Sequence, residues 1–112
     1  MNREIKFRAW DKESGIMDYF PTYDSIPLDI NAIFRGSTFV WMQYTGLKDK
    51  NGKDIYEGDI VTVLGLRRKP TKVIYGNGAF FTSGNHEKFE PINSFRNYEI
   101  IGNVFEHPHL LE

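Results

Sequence analysis

Apolar and polar positions alternate with period two through most of the chain, and that period predicts strands. In residues 4–10, Ile5, Phe7 and Ala9 fall on one side of an extended backbone and Lys6 and Arg8 on the other, the pattern of a half-buried strand. The run Asp11-Lys12-Glu13-Ser14-Gly15 forms a turn, with Gly15 free to take positive φ, and residues 16–20 can pair back as a hairpin. Residues 37–44 set Phe39, Trp41 and Gln43 against Val40, Met42 and Tyr44, which predicts a strand covered on both faces. Turn signals then crowd together: Gly46, followed by Asp49-Lys50-Asn51-Gly52-Lys53-Asp54, in which Asn51-Gly52 is a strong hairpin dipeptide. Ile55 and Tyr56 follow, the chain reverses at Gly58-Asp59, and Ile60, Val61, Val63 and Leu64 read as a central strand, with Ile55, Tyr56, Ile60 and Val61 in packed surroundings. Residues 72–75 and 79–82 form a second hairpin across Gly76-Asn77-Gly78, residues 89–92 are weakly extended, and residues 98–105 make the last strand.

The period breaks in two places. Within residues 21–36, Ile26, Ile30, Ile33 and Phe34 lie at helical spacings, predicting a short helix from about Asp29, which can cap it. Near the end, Pro108 fits the first turn of a short helical tail. Strands punctuated by Gly and Asn-Gly, without the long helices of a parallel sheet, predict a mainly β protein. A boundary near residues 44–46 leaves residues 47–112, a length that suits a small SH3-like antiparallel barrel, preceded by an N-terminal β subdomain of residues 1–46. That subdomain holds Trp10, Met17, Tyr19, Phe20, Tyr23, Phe34, Phe39, Trp41 and Met42, more large apolar surface than so small a piece covers alone. Some of that surface is expected to find a partner, either the barrel of the same chain or the equivalent strand of a second chain through edge pairing, which would make residues 1–46 an oligomerisation element.

Composition narrows the chemistry. The chain has 112 residues, one domain's worth, and its aromatic load of nine Phe, six Tyr and two Trp permits a core without crosslinks. With no Cys there is no disulfide, thiolate metal site or thiol nucleophile. Fourteen basic against fifteen acidic residues give no global field to attract nucleic acid. No apolar run approaches a membrane span and the N-terminus is too polar for a signal peptide, so a cytoplasmic protein with no membrane partner is expected.

Motifs that resemble chemistry fail on spacing. The run from Gly46 to Asp54 has five residues between its glycines where a phosphate-binding loop needs four, and places Asp54 where a hydroxyl belongs. As a calcium loop it would put Leu47 at the first ligand position and Gly58 at the twelfth. Gly76-Asn77-Gly78 lacks the third glycine of a dinucleotide fingerprint, since Phe81 stands there. His86, His107 and His109 complete no ligand set and read as surface histidines, and none of the five serines lies in a nucleophile elbow. Asp54, Glu57 and Asp59 are the only tight acid cluster, and acids beside Gly58 are expected to accept backbone hydrogen bonds rather than move protons or bind metal. No catalytic residue, metal or cofactor is therefore expected. One charge feature remains: residues 62–86 hold Arg67, Arg68, Lys69 and Lys72 and no acid. With Tyr75 and Phe80 nearby these could contact phosphates and stack bases, although aromatics in a small barrel more often point into its core.

Three blocks now stand out: residues 3–11, residues 43–61, and Ile100-Ile101-Gly102-Asn103-Val104-Phe105-Glu106. Together, and above all through Gly46, Asp49, Asn51, Gly52, Tyr56, Gly58, Asp59, Gly102 and Asn103, the chain resembles the YopX family of small phage- and prophage-encoded proteins. The resemblance implies an SH3-like barrel with an added N-terminal β region, a phage or prophage origin and a tendency to form oligomers; it implies no catalytic residue. The reading that follows is a non-enzymatic accessory protein acting by self-assembly or by binding a phage or host protein, in the cytoplasm of a bacterial host. Its rival is a nucleic-acid-binding module using Arg67, Arg68, Lys69, Lys72, Tyr75 and Phe80. Residues 21–36 and 83–97 match no pattern of the family.

Overall fold

A computed structural model describes residues 5–20, 39–65, 69–83, 90–92 and 96–111. The helix expected from Asp29 lies outside them, as do Arg67, Arg68, His86 and Phe89 of the sequence reading. The described residues form two antiparallel sheets and one 3-10 turn, and no helix among them is long and apolar enough to cross a membrane. The chain divides into two compact units, residues 1–44 and 45–112.

In the first unit, β1 (Phe7–Asp11) and β2 (Ile16–Phe20) form the expected hairpin, with Phe7 opposite Phe20 and Asp11 opposite Ile16. Asp11 builds the turn: its carboxylate accepts the Ser14 hydroxyl and the Glu13 N–H, and its carbonyl accepts the N–H of Gly15, which has φ 69°. The hydroxyl bond foremost, together with the N–H bond, holds the Asp11 carboxyl below its usual range. β3 (Phe39–Lys48) pairs with β1 on its other side, so β1 lies between β2 and β3.

Three expectations about this sheet are corrected. Arg8 is only 2% exposed, although the alternation put it on the polar side of β1. Its direct cross-strand neighbours are Met42 and Tyr19, so the long aliphatic stem is flanked by apolar side chains on that face. β3 is not covered equally on both faces: Met42 and Tyr44 are buried, whereas Trp41 is 37% exposed. The indole is covered in part by Phe20, the two ring centroids standing 5.4 Å apart on a diagonal across β1, since Trp41 is opposite Ala9 and Phe20 opposite Phe7. Gly46 does not open the turn either. It stays within β3 at φ 90°, and the reversal begins only at Asp49.

In the second unit the end of β3 leads through residues 49–53 into β4 (Asp54–Tyr56). β5 (Asp59–Val63), β6 (Thr71–Gly76), β7 (Ala79–Ser83), β8 (Glu90–Pro91) and β9 (Tyr98–Asn103) form a sheet of order β8-β7-β6-β5-β9. Pro91 sits on its edge strand, where a missing N–H costs no ladder bond. Ile60 pairs with Gly102 and Val61 with Ile100, so Ile101 is the extra residue of a bulge that bends β9. Ile55, Val61, Val73, Phe80 and Tyr98 form the core, with Leu47, Val63, Ile92 and Ile100 packed against it. Ile55, Tyr56, Ile60 and Val61 are all buried, as their place in the sequence predicted.

The Asn51-Gly52 turn is exposed and Gly52 takes φ 80° with open space around its Cα. A Gly52→Val protein should therefore lose about 1 kcal/mol or more through backbone strain alone. Chemical denaturation measures it, and an unchanged midpoint would show that the turn does not require positive φ.

Candidate functional site

The second and third sequence blocks build three hydrogen-bonded devices. Asp49, buried at the head of the β3–β4 hairpin, accepts the Asn51 N–H at 2.8 Å and the Lys53 N–H at 2.9 Å on Oδ1. Its Oδ2 accepts the Ile100 N–H of β9 at 3.2 Å, and the Lys50 N–H reaches the Tyr98 carbonyl at 2.8 Å. One carboxylate thus organises its own turn and fastens it to a strand 51 positions further along the chain. Burial by itself raises the Asp49 carboxyl, but the N–H bonds from Lys53, Ile100 and Asn51 and the Lys53 charge outweigh it and hold the group below 3.8.

The second device is the reversal at Gly58-Asp59. Asp59 is buried and its Oδ2 accepts the Tyr56 N–H at 2.8 Å. Gly58, at φ 88°, donates its N–H to Val73 and accepts the Val104 N–H on its carbonyl. The Thr45 hydroxyl closes the neighbouring hairpin by donating to the Ile55 carbonyl at 2.7 Å and accepting the Leu47 N–H.

The third device ends β9. Asn103 Oδ1 accepts the N–H groups of Phe105 and Glu106, while its own N–H donates to His107 Nδ1 at 3.2 Å. The imidazole lies so close to Gly102 that a Cβ there would stand 2.7 Å from it. His107 is thus a packed, hydrogen-bonded residue rather than the surface histidine that the sequence suggested. The 3-10 turn Pro108–Leu111 follows, its Leu110 N–H bonded to the His107 carbonyl.

Of the basic stretch, Lys69, Lys72, Tyr75 and Phe80 fall among the described residues and Arg67 and Arg68 do not. Tyr75 and Phe80 are directly opposite one another with ring centroids 4.9 Å apart, but Phe80 is 6% exposed and belongs to the core, leaving Tyr75, 48% exposed, as the only accessible ring of the pair. Lys72 lies on the other face of β6 by strand alternation, beside Ser83, and Lys69 is exposed ahead of the strand. Among the described residues no three His, Asp or Glu side chains gather closely enough to hold a metal ion.

Among the described residues, three of the six exposed large apolar side chains stand on the first sheet. β2 ends its strand order, and along it Ile16 is 55% and Tyr19 58% exposed, while Trp41 is partly open on β3.

The family model described as "YopX protein" matches residues 6–112. The chain belongs to the YopX family. A crystal structure of protein EF1440 from Enterococcus faecalis is similar to this YopX chain over 99% of its length and 100% of its own, with 30% identity and a TM-score of 0.70. No curated protein is significantly similar to the chain. The motif that runs from Gly46 to Asp59 in this YopX protein is therefore, in its geometry, a set of turn locks. Sequence reasoning placed the turns but missed two residues: His107, whose signal is its position four residues after Asn103, and Thr45, which leaves no local signal.

Proposed function

We propose that this YopX protein is a non-enzymatic phage or prophage accessory protein that acts in the bacterial cytoplasm by self-association through the edge of its N-terminal sheet. One observation carries the reading: β2 closes the sheet order while bearing two large apolar side chains that are more than half exposed. A strand edge is a template for pairing, and apolar side chains along it add burial when a second copy docks. The second unit is read as an SH3-like barrel that the assembly presents. Support comes from the return of β9 to pair with β5 and from the bonds that join the β3–β4 turn to β9, which fold the hairpin onto the sheet edge.

Light scattering at two concentrations tests this. A stable multiple of 13.1 kDa is expected, and Ile16→Lys or Tyr19→Lys should dissociate it while leaving the circular dichroism unchanged. A mass of one chain at both concentrations would remove the assembly role.

A further inference from the structure

The chain contains two Asn-Gly dipeptides in exposed turns, Asn51-Gly52 and Asn77-Gly78, which local sequence makes near equivalents. Asn-Gly is the dipeptide most prone to spontaneous deamidation because glycine offers no side chain to hinder attack by its own backbone nitrogen. The fold separates them. At the first, the nitrogen that would attack is engaged: the Gly52 N–H donates to the Asp49 carbonyl at 3.0 Å. The Asn51 and Lys53 N–H groups are both held by Asp49 Oδ1, and the Asp49 N–H donates to Lys53 at 2.7 Å. At the second, Asn77 and Gly78 are the two central residues of a tight hairpin turn, both at positive φ (51° and 78°), exposed, with nothing within 4 Å of where a Gly78 Cβ would lie.

We infer that Asn77 is a site of spontaneous covalent modification and that Asp49 protects Asn51 from the same reaction. The Gly78 backbone nitrogen attacks Asn77 Cγ. A C–N bond forms, the Cγ–Nδ2 bond breaks, and the amide nitrogen departs as ammonia carrying the proton lost by the attacking N–H. Water then opens the cyclic imide at either carbonyl, leaving aspartate or isoaspartate at position 77. Each product adds a negative charge at the tip of the β6–β7 hairpin, and isoaspartate also inserts a methylene into the backbone of a two-residue turn. No oxidant, enzyme or cofactor enters the balance.

The experiment incubates the full chain at mildly alkaline pH and follows each asparagine by peptide mapping with mass spectrometry. Asn77 should convert about tenfold faster than Asn51, a ratio equal to about 1.4 kcal/mol and comparable to one or two backbone hydrogen bonds broken before attack. Asn97, exposed but followed by Tyr98, serves as the internal standard. In concentrated urea the two Asn-Gly sites should converge. Equal rates in the folded protein, faster conversion at Asn51, or Asn77 surviving as long as Asn97 would each overturn the inference. A difference that persists in urea would also overturn it, because it would then belong to the local sequence and not to the fold.

Discussion

Asp49→Ala should lower folding stability by about 2–4 kcal/mol, read as a shift in the urea midpoint. Hydrogen bonds to a charged acceptor contribute about 1.5–3 kcal/mol each, and this carboxylate accepts three, from Asn51, Lys53 and Ile100. The total falls short of three times that value because the Asn51 and Lys53 N–H groups lie in an exposed turn and regain water. The Ile100 N–H, on a half-buried strand, is less able to do so. Asp49→Asn keeps the shape but offers an amide donor toward one of these N–H groups, so a smaller loss is expected. The pH dependence has a definite sign. A carboxyl whose value is depressed in the folded state contributes stability that is complete above its unfolded value of 3.8 and is lost as pH falls from there through the lower folded value. The wild-type protein should therefore lose stability below about pH 3.8 more steeply than Asp49→Ala does. Parallel acid limbs for the two proteins would show that Asp49 is not held as the hydrogen bonds require.

Ile55→Ala should cost about 2–5 kcal/mol, the range for removing a fully buried aliphatic side chain and leaving a cavity. Ile55 has no exposed surface and packs in the cluster with Val61, Val73, Phe80 and Tyr98. Strands on several sides hold that cluster, so the cavity has little room to collapse. Ile55→Val should cost about 0.5–1.5 kcal/mol. The same truncation at Ile16, more than half exposed on β2, should stay within about 0.5 kcal/mol of wild type when measured on the dissociated chain. Equal losses at Ile55 and Ile16 would contradict the division between the buried core and the exposed edge strand.

Much of the fold was legible because strands and tight turns are local phenomena. Two adjacent positive-φ positions are what Asn77-Gly78 accommodates at low cost, and the hairpin formed at that dipeptide. Gly15, Gly52 and Gly58 likewise stand at positive φ where a reversal was read. The period-two pattern identified strands reliably but said less about which face would be covered. Arg8 follows the polar side of the alternation and is nevertheless buried, since the neighbouring strands set Met42 and Tyr19 beside it. Phe80 and Phe81 are indistinguishable by type, and the pairing of β6 with β7 sends Phe80 into the core and with it an apparent stacking partner for bases.

The candidate devices divide the same way. Asp49 and Asp59 announce themselves as turn residues, because short side chains with oxygen acceptors bond to backbone two to four positions away, whereas Asn103, read as part of a last strand running to residue 105, ends that strand by the same chemistry. Their longer reach does not show in sequence. That Asp49 also holds Ile100, and that the His107 ring occupies the space over Gly102, depend on the path by which β9 returns to β5. By itself, then, the sequence determined the mainly β class, the positions of the turns, the residues that cap them and membership of the YopX family. Only the tertiary structure decided which side of each strand is buried, which turn is locked by a distant partner, and which of two Asn-Gly sites stands open. Turn preference is set by a residue's own backbone and nearest neighbours, whereas burial and long-range hydrogen bonds are set by elements that meet only after the chain has folded.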